Sequence, residues 1–503
     1  MSRVRLRLSG GLFFAANLVG YITGFVFTVF ITRRLSEEEF GVWALISSLI
    51  IYSLTPYNLV GSWVSRDAAR GRKVLETALA LWALLIPVSI IIYISAGVGS
   101  ASAINYDLNI MLLGLIALIP YIFLKLGSAI QMGYAPQNVG VARILFEISK
   151  VIFALSFVVV LKLGLVGAIM SLSLAYVLQS SLLLYKSIPL SQRKFRRDWV
   201  VKWLKGVPIN VIRVLNDILS ATNIVLMSVI LGQAVIAGYW QAAVSAAALA
   251  TSSRLLTMGL EARLLSGGSQ KDVDKIFNFS MMLAIPMLFG LLVLSRDLLW
   301  VLRPVYSSAW IAACFLALAG LIRTVGNVGS IVLRGTDRFD QGDDVGMRDY
   351  LRSRIFLLNK LRAALTALNV ISVAVYLLLV KGAMVDIVKI VTSVAVINFA
   401  YSIAWTVINL RLMNKMTDFR LNFGSLKPYL IASAVMATSV YVLRSMLGPL
   451  PARVLEAAPL IVALVVVGAL IYGGTLYLIS REFREFLKEA RTFINSYISI
   501  NFL

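Results

Sequence analysis

The sequence predicts an all-α polytopic membrane protein of about fourteen transmembrane helices, grouped as two six-helix lobes in parallel repeat with a further helix pair after them. Three observations carry that expectation. Of the 503 residues, 59% are hydrophobic and only 14% charged, with a mean hydropathy of +0.87, far too apolar for a water-soluble globule. The apolar residues gather into runs of about 20 or more, the length that a bilayer core demands of a helix. Short signatures in the first half also return, in order, in the second.

Fourteen runs can be drawn, at about 11 to 32, 40 to 64, 74 to 97, 108 to 130, 138 to 161, 164 to 185, 206 to 231, 233 to 258, 275 to 295, 309 to 333, 357 to 380, 384 to 410, 428 to 446 and 457 to 479. The first follows Arg3, Arg5 and Arg7 and is too long for a signal-peptide core, so it reads as a retained helix interrupted by Asn17, Tyr21 and Thr23. A short turn then leads through Glu37, Glu38 and Glu39, which read as a solvated helix start with acids at the positive end of the dipole. The second run contains Pro56 and Asn58, so a kink with freed carbonyls is expected. Lys125 adds a cation to the fourth. Arg143, Glu147 and Lys150 stand at i, i+4 and i+7 on one face of the fifth. Arg143 is close enough to the surface to snorkel, whereas Lys150 sits too deep and is expected in a cavity or in a buried pair with Glu147.

The seventh run is the most informative. Asn210, Arg213, Asn216, Asp217, Ser220 and Asn223 recur at three- and four-residue steps along one side, opposite Val211, Ile212, Leu215 and Leu219. Charge at mid-membrane costs a few kcal/mol even on lenient scales, so this helix reads as the wall of a polar pathway. Arg323 and Asn327 in the tenth run, with Thr366 and Asn369 in the eleventh, extend the same lining. Residues 334 to 356 form the longest inner loop, and its Asp337, Asp340, Asp343 and Asp344 have no EF-hand spacing, so a solvated loop is expected and no metal site. The thirteenth and fourteenth runs are nearly uniformly apolar, which suits contact with lipid or with a hydrocarbon tail. The closing stretch alternates apolar and basic faces as an amphipathic helix on the inner membrane surface.

Charge placement gives the orientation. The net charge is +23, yet the outer turns carry only Arg33, Arg34, Lys162, Arg296, Arg303, Lys381, Arg444 and Arg453. That asymmetry predicts both termini in the cytoplasm, makes the basic excess an orientation signal and a lipid-headgroup contact, and leaves nucleic acid unneeded. The chain has no histidine and a single cysteine, which removes the commonest general base, the commonest metal ligand and any disulfide framework. No cofactor is implied.

The repeat sets the domain organisation. Gly41-Val42-Trp43 returns as Gly238-Tyr239-Trp240, Ile86-Pro87 as Ile285-Pro286, and Gly127-Ser128 with Gly133 as Gly329-Ser330 with Gly335, each about 200 residues later. The expected divisions are an N-terminal lobe at 1–190, a C-terminal lobe at 191–412, extra helices at 413–480 and the tail helix at 481–503. Six spans per copy is even, so the copies enter the membrane from the same side, with a substrate site between them.

Three passages now carry a resemblance: residues 33–43, where Arg34-Leu35-Ser36 precede Phe40-Gly41; the Gly238-Tyr239-Trp240 turn; and residues 298–310, where Tyr306 and Ala309 match a Tyr-x-x-Ala element. Together they resemble the polysaccharide and lipid-linked oligosaccharide flippases of the multidrug/oligosaccharidyl-lipid/polysaccharide (MOP) exporter superfamily, over essentially the first 410 residues. The chain departs at Arg303-Pro304, where that family commonly has Phe-Gly. The resemblance implies two six-helix lobes around a central cavity and a secondary transporter, not an enzyme. It implies movement of a polyprenyl-phosphate- or pyrophosphate-linked glycan from the cytoplasmic to the outer leaflet, in the plasma membrane of a prokaryote. The candidate cavity residues are Arg213, Asp217, Lys150 and Arg323, with Asn17, Asn58, Asn216, Asn223, Asn327 and Lys125 as further lining. Asp217 and Glu147 are candidates for coupling to sodium or protons, and the membrane potential is a further drive. A drug or organic-cation exporter of the same superfamily is the alternative, and a membrane glycosyltransferase or ligase using the same lipid carrier a more distant one.

Overall fold

The computed structural model describes residues 6–192, 194–250, 260, 264, 267–337, 351–485 and 487–488, with side chains from Ala16 onward except at positions 17 and 18. Helices make up nearly all of it. The first half comprises α1 (Leu6–Arg34), α2 (Glu37–Ser53), α3 (Thr55–Ala69), α4 (Leu75–Ile104), the short α5 (Leu108–Leu112), α6 (Gly114–Tyr134), α7 (Pro136–Ala154) and α8 (Gly164–Ser187). After the linker helix α9 (Arg197–Lys205) come α10 (Val207–Leu231), α11 (Val235–Ala250), α12 (Gln270–Leu302), α13 (Trp310–Gly335), α14 (Arg354–Val380) and α15 (Ile387–Met416). The chain then adds α16 (Lys427–Met446) and α17 (Val454–Ile479).

Every predicted apolar run contains a helix, but the count of fourteen spans is not confirmed. Among the described residues, ten helices are long and apolar enough to cross a membrane, or eleven if the bent α2–α3 pair counts as one. α7 falls short because Arg143, Glu147 and Lys150 crowd into 19 residues, and α11 because only 16 of its residues are described. The predicted kink is real: α2 and α3 meet at Leu54 with a bend of 52°, where Pro56 begins the new helix at a position whose N–H is not needed. The three glutamates behave as helix-start residues. Ser36 caps α2, accepting from Glu39 N while the Glu39 carboxylate accepts from Ser36 N. Asp340, Asp343, Asp344 and most of the tail helix lie outside the described residues.

The packing of the first half recurs in the second. α1 packs on α7 as α10 packs on α14, and α6 packs on α8 as α13 packs on α15. α16 and α17 pack on each other and on α12. They are tethered by a bidentate Arg444–Asp297 pair at 2.8 and 2.9 Å, and by the Tyr472 hydroxyl donating to Met282 O at 2.6 Å. The linker between the halves is held to the α3–α4 end. Trp203 Nε1 donates to Asp67 Oδ2 at 2.9 Å, Arg72 donates to the other oxygen of that buried carboxylate, and Arg196 N donates to Thr77 Oγ1.

The two halves meet closely at the opposite end, along α2 and α11. A Cβ on Gly41 would overlap the Ala234 carbonyl, and a Cβ on Gly238 would sit 2.9 Å from the Glu37 carbonyl. Ala234 stands to Glu37 in the sequence as Gly238 stands to Gly41, so the two contacts exchange under the repeat. Rings fill the space beside them: Phe40 stacks on Trp43 at 5.5 Å, and Tyr239 meets Tyr306 edge-on at 5.0 Å. A second reciprocal contact joins α1 to α12. Arg33 donates to Val301 O and Trp300 O at 2.9 and 2.6 Å, and Arg303 donates to Leu35 O. Each guanidinium thereby satisfies carbonyls at the other helix's negative end.

Gly41→Ala should lower the thermal unfolding midpoint of the purified protein by the equivalent of about 1 to 3 kcal/mol, the usual cost of overpacking. Gly24→Ala is the matched control, since nothing lies within 4 Å of the added methyl. Equal midpoints for the two variants would refute the tight seam.

Candidate functional site

A cavity of about 790 Å³ lies between α1 and α2 on one side and α10, α11, α13, α14 and α15 on the other. Its wall follows α13 from Leu316, near the glycine seam, to Arg334 at the far end, roughly 27 Å of helix. Arg323, Arg334 and Arg362 line it with Asn223, Asn327 and Asn398, and among the described residues its lining includes no aspartate or glutamate. Arg323 lies midway along α13, about 20 Å from either end, and its Nε donates to Ala319 O one turn back at 3.3 Å. A second pocket of about 150 Å³ adjoins the first within the second half, bounded by α10, α13, α14 and α15. Six residues belong to both walls: Ser220, Asn223, Arg323, Asn327, Arg362 and Asn398.

The polar side of α10 divides between two neighbours. Asn216 and Asn223 turn toward α14: Asn216 Oδ1 accepts from Thr366 Oγ1 at 2.8 Å, and Asn223 Nδ2 donates to Asn369 Oδ1 at 3.3 Å. Asn223 Oδ1 and Asn369 Nδ2 are buried and carry no partner. Arg213 turns the other way and donates from Nη2 to the carbonyl of Asn58 on α3 at 3.1 Å. Arg213 and Asp217 are exposed, form no ion pair with each other and line neither cavity. Of the candidates named from the sequence, Arg323, Asn223 and Asn327 come together, with Asn216 behind them. Arg213 and Asn58 stand apart at the α3–α10 seam, Asp217 is exposed and lines neither pocket, and the Asn17 side chain lies outside the described residues.

Lys150, Glu147 and Lys125 belong to the first half alone. Lys150 Nζ lies 2.5 Å from Glu147 Oε2, which also accepts from Thr23 Oγ1 at 2.8 Å, while Arg143 approaches the other oxygen at 3.8 Å. The Lys150 ammonium sits over the Phe27 and Phe146 rings at 5.4 and 5.1 Å. Phe146, Tyr176 and Tyr121 continue as a parallel stack, and Lys125 covers its far end 5.5 Å from the Tyr121 ring. This is a filled site. The Glu147 carboxylate already has a tethered cation at contact distance.

Sequence reasoning missed Arg362, Arg334, Asn398, Tyr401 and Trp405. One signal was available: Arg362, Thr366 and Asn369 repeat the i, i+4, i+7 spacing of Arg143, Glu147 and Lys150 on the helix six predicted runs later. Arg334 looked like an ordinary helix-end cation, and nothing local marks Asn398 as facing a cavity.

No protein-family model matches this sequence, and no curated protein matches it. Solved structures match by fold. "Lipid II flippase MurJ, inward closed conformation" has a TM-score of 0.59 at 11% identity, covering 94% of this chain and 99% of its own. An inward-facing multidrug resistance MATE family transporter of the MOP superfamily has a TM-score of 0.56 at 12% identity, covering 79% and 95%. An outward-facing MATE family transporter has a TM-score of 0.52 at 14% identity, covering 81% and 96%. The chain therefore has the fold of MOP superfamily transporters.

Glu147→Gln should destabilise the protein by about 3 kcal/mol, because it strands a buried ammonium. Lys150→Met should cost less, since Arg143 still faces the carboxylate, and the double variant should recover much of the loss. Thermal unfolding of the three variants measures this, and a fully additive double variant would show that the pair is not coupled.

Proposed function

We propose that the protein is a flippase that moves a polyprenyl-phosphate- or pyrophosphate-linked glycan from the cytoplasmic to the outer leaflet by alternating access between two lobes, 1–190 and 191–412. The observation that carries this reading is the cavity lined by Arg323, Arg334 and Arg362 beside Asn223, Asn327 and Asn398. Guanidinium groups in a cleft suit a phosphate-bearing headgroup, and the neighbouring amides suit sugar hydroxyls. An organic-cation exporter needs the opposite charge. The apolar α16–α17 pair offers a surface for an isoprenoid chain that stays in lipid, and the lipid II flippase structure matches more of this chain than the two drug-transporter structures do.

With the termini placed inside by the distribution of basic residues, the glycine seam lies at the outer end and the cavity faces the cytoplasm. The state is then the loading state, and release requires α2 and α11 to part. Outward movement of a phosphate anion across an inside-negative membrane is favoured by about 2.3 kcal/mol per charge per 100 mV. Glu147, held by Lys150, is a poor site for a coupling ion, and among the described residues Asp217 is the exposed candidate carboxylate for that role.

The test is a leaflet-accessibility assay on proteoliposomes with defined lipid-linked sugars. Arg323→Gln should slow translocation about tenfold or more, the cost of losing a charged hydrogen bond, at unchanged incorporation. Full activity in an Arg323→Gln, Arg362→Gln double variant would remove the cavity from the pathway. Asp217→Asn should abolish any dependence on a sodium or proton gradient, and unaltered gradient dependence would end its coupling role.

A further inference from the structure

We propose that the linker helix α9 lies in the headgroup layer of the cytoplasmic leaflet and, with the neighbouring ends of α3 and α4, forms a binding surface for anionic phospholipid. This placement uses the inward orientation of the termini and does not depend on what the central cavity carries.

α9 does not hang below the bundle, because both of its ends are set beside membrane-spanning helices. At one end Arg196 N donates to Thr77 Oγ1, in the first turn of α4. At the other, Gly206 follows α9, and a Cβ there would overlap the indole of Trp63, more than a turn inside the end of α3 at Ala69. Between them Trp203 is buried and donates to Asp67. The helix, about 13 Å long, therefore runs alongside the last turns of its neighbours. That is the depth at which hydrocarbon gives way to headgroups.

The face of α9 turned away from Trp203 is made by Arg197, Val201, Leu204 and Lys205, at i, i+4, i+7 and i+8. Val201 and Leu204 are 42% and 47% exposed, and Phe195, just before the helix, is 57% exposed. Apolar side chains between two cations suit the boundary of acyl chains and headgroups, where the stems of Arg and Lys lie in hydrocarbon and their charged ends reach phosphate. A free phosphate or an acidic protein would match the cations and leave the apolar residues in water.

Charge names the lipid class. Residues 65–76 and 185–206 carry eleven Lys and Arg against three acids, Asp67, Glu76 and Asp198. All three acids are engaged within the protein: Asp67 by Trp203 and Arg72, Glu76 by Ser191 and the Gln192 amide, Asp198 by Arg196. Among the described residues, Lys73, Lys194, Arg197 and Lys205 form no ion pair. The acids thus hold the surface together, and the cations are what it presents. A lipid with net negative charge balances them, which a zwitterionic one does not.

The experiment titrates the purified full-length protein in detergent with phosphatidylglycerol and with phosphatidylcholine of the same chains, and native mass spectrometry reads the bound lipid. Wild type should favour phosphatidylglycerol at least about tenfold, and Arg197→Gln with Lys205→Gln should bring the ratio of affinities close to one, at about fivefold per cation lost. Arg197→Lys with Lys205→Arg should keep the preference. So should Arg411→Gln with Lys415→Gln, which removes the same charge from exposed positions near the end of α15. For depth, a nitroxide on Leu204→Cys in vesicles of the two lipids should be relaxed more by oxygen, and less by a water-soluble nickel complex, than one on Lys202→Cys across the helix. Cys314 is buried and does not compete for the label. A wild-type ratio of one, a preference kept in the double glutamine variant of α9, or an equal loss in the α15 variant overturns the lipid surface. Equal nickel access at the two labels overturns the placement of α9, and each of these results leaves the reading of the cavity standing.

Discussion

The architecture depends on how closely two helices approach at one end. α2 and α11 touch backbone to backbone because Gly41 and Gly238 lack side chains there, and each glycine faces a carbonyl four residues before the other. Such an approach excludes water and any gap wide enough for a headgroup. The arginine exchange between α1 and α12 adds charge-assisted hydrogen bonds to carbonyls that the helix ends would otherwise leave unpaired. With that end shut, the space beneath it becomes a chamber closed at one end. The passages that carry the family resemblance converge here: Phe40, Gly41 and Trp43 from one, Gly238 and Tyr239 from another, Tyr306 from the third.

The second theme is how differently the halves treat similar arrangements. Each sets a helix bearing an arginine and two polar residues at i, i+4 and i+7 against the first helix of its half. In the first half the result is an ion pair wrapped in aromatic rings, neutralised and closed, and its desolvation cost is offset by contact distance and cation–π geometry. In the second half shorter, uncharged side chains leave space and unmet hydrogen-bonding capacity. One half thus holds its shape around an internal counter-ion, while the other leaves polar side chains along a cavity wall.

Much of this was legible in the sequence because it follows from periodicity and local chemistry. The apolar runs placed the helices, Pro56 marked the bend between α2 and α3, and Glu37, Glu38 and Glu39 marked a helix start. The depth of Lys150 and its spacing from Glu147 pointed to a cavity or a buried pair, and the pair is what forms. Arg323, Asn327 and Asn223 were chosen for being polar at membrane depth, and they line one cavity. Arg213 and Asp217 were chosen on the same ground, yet Arg213 points to α3 and neither lines the cavity, because a helical face is more than 100° wide and two neighbours share it.

By itself, then, the sequence determined which segments are helices, roughly where each begins and breaks, and which of them carry polar groups at a depth that hydrocarbon would not tolerate. Those properties are set within a few residues along the chain. Only the tertiary structure decided that Arg362 and Asn398 join Arg323 across helices, that Arg213 does not, and that Glu147 is filled while Asn369 is left wanting a partner. Such outcomes depend on the rotation of each helix about its axis and on the volume left between side chains from distant parts of the chain, neither of which is written in any local pattern.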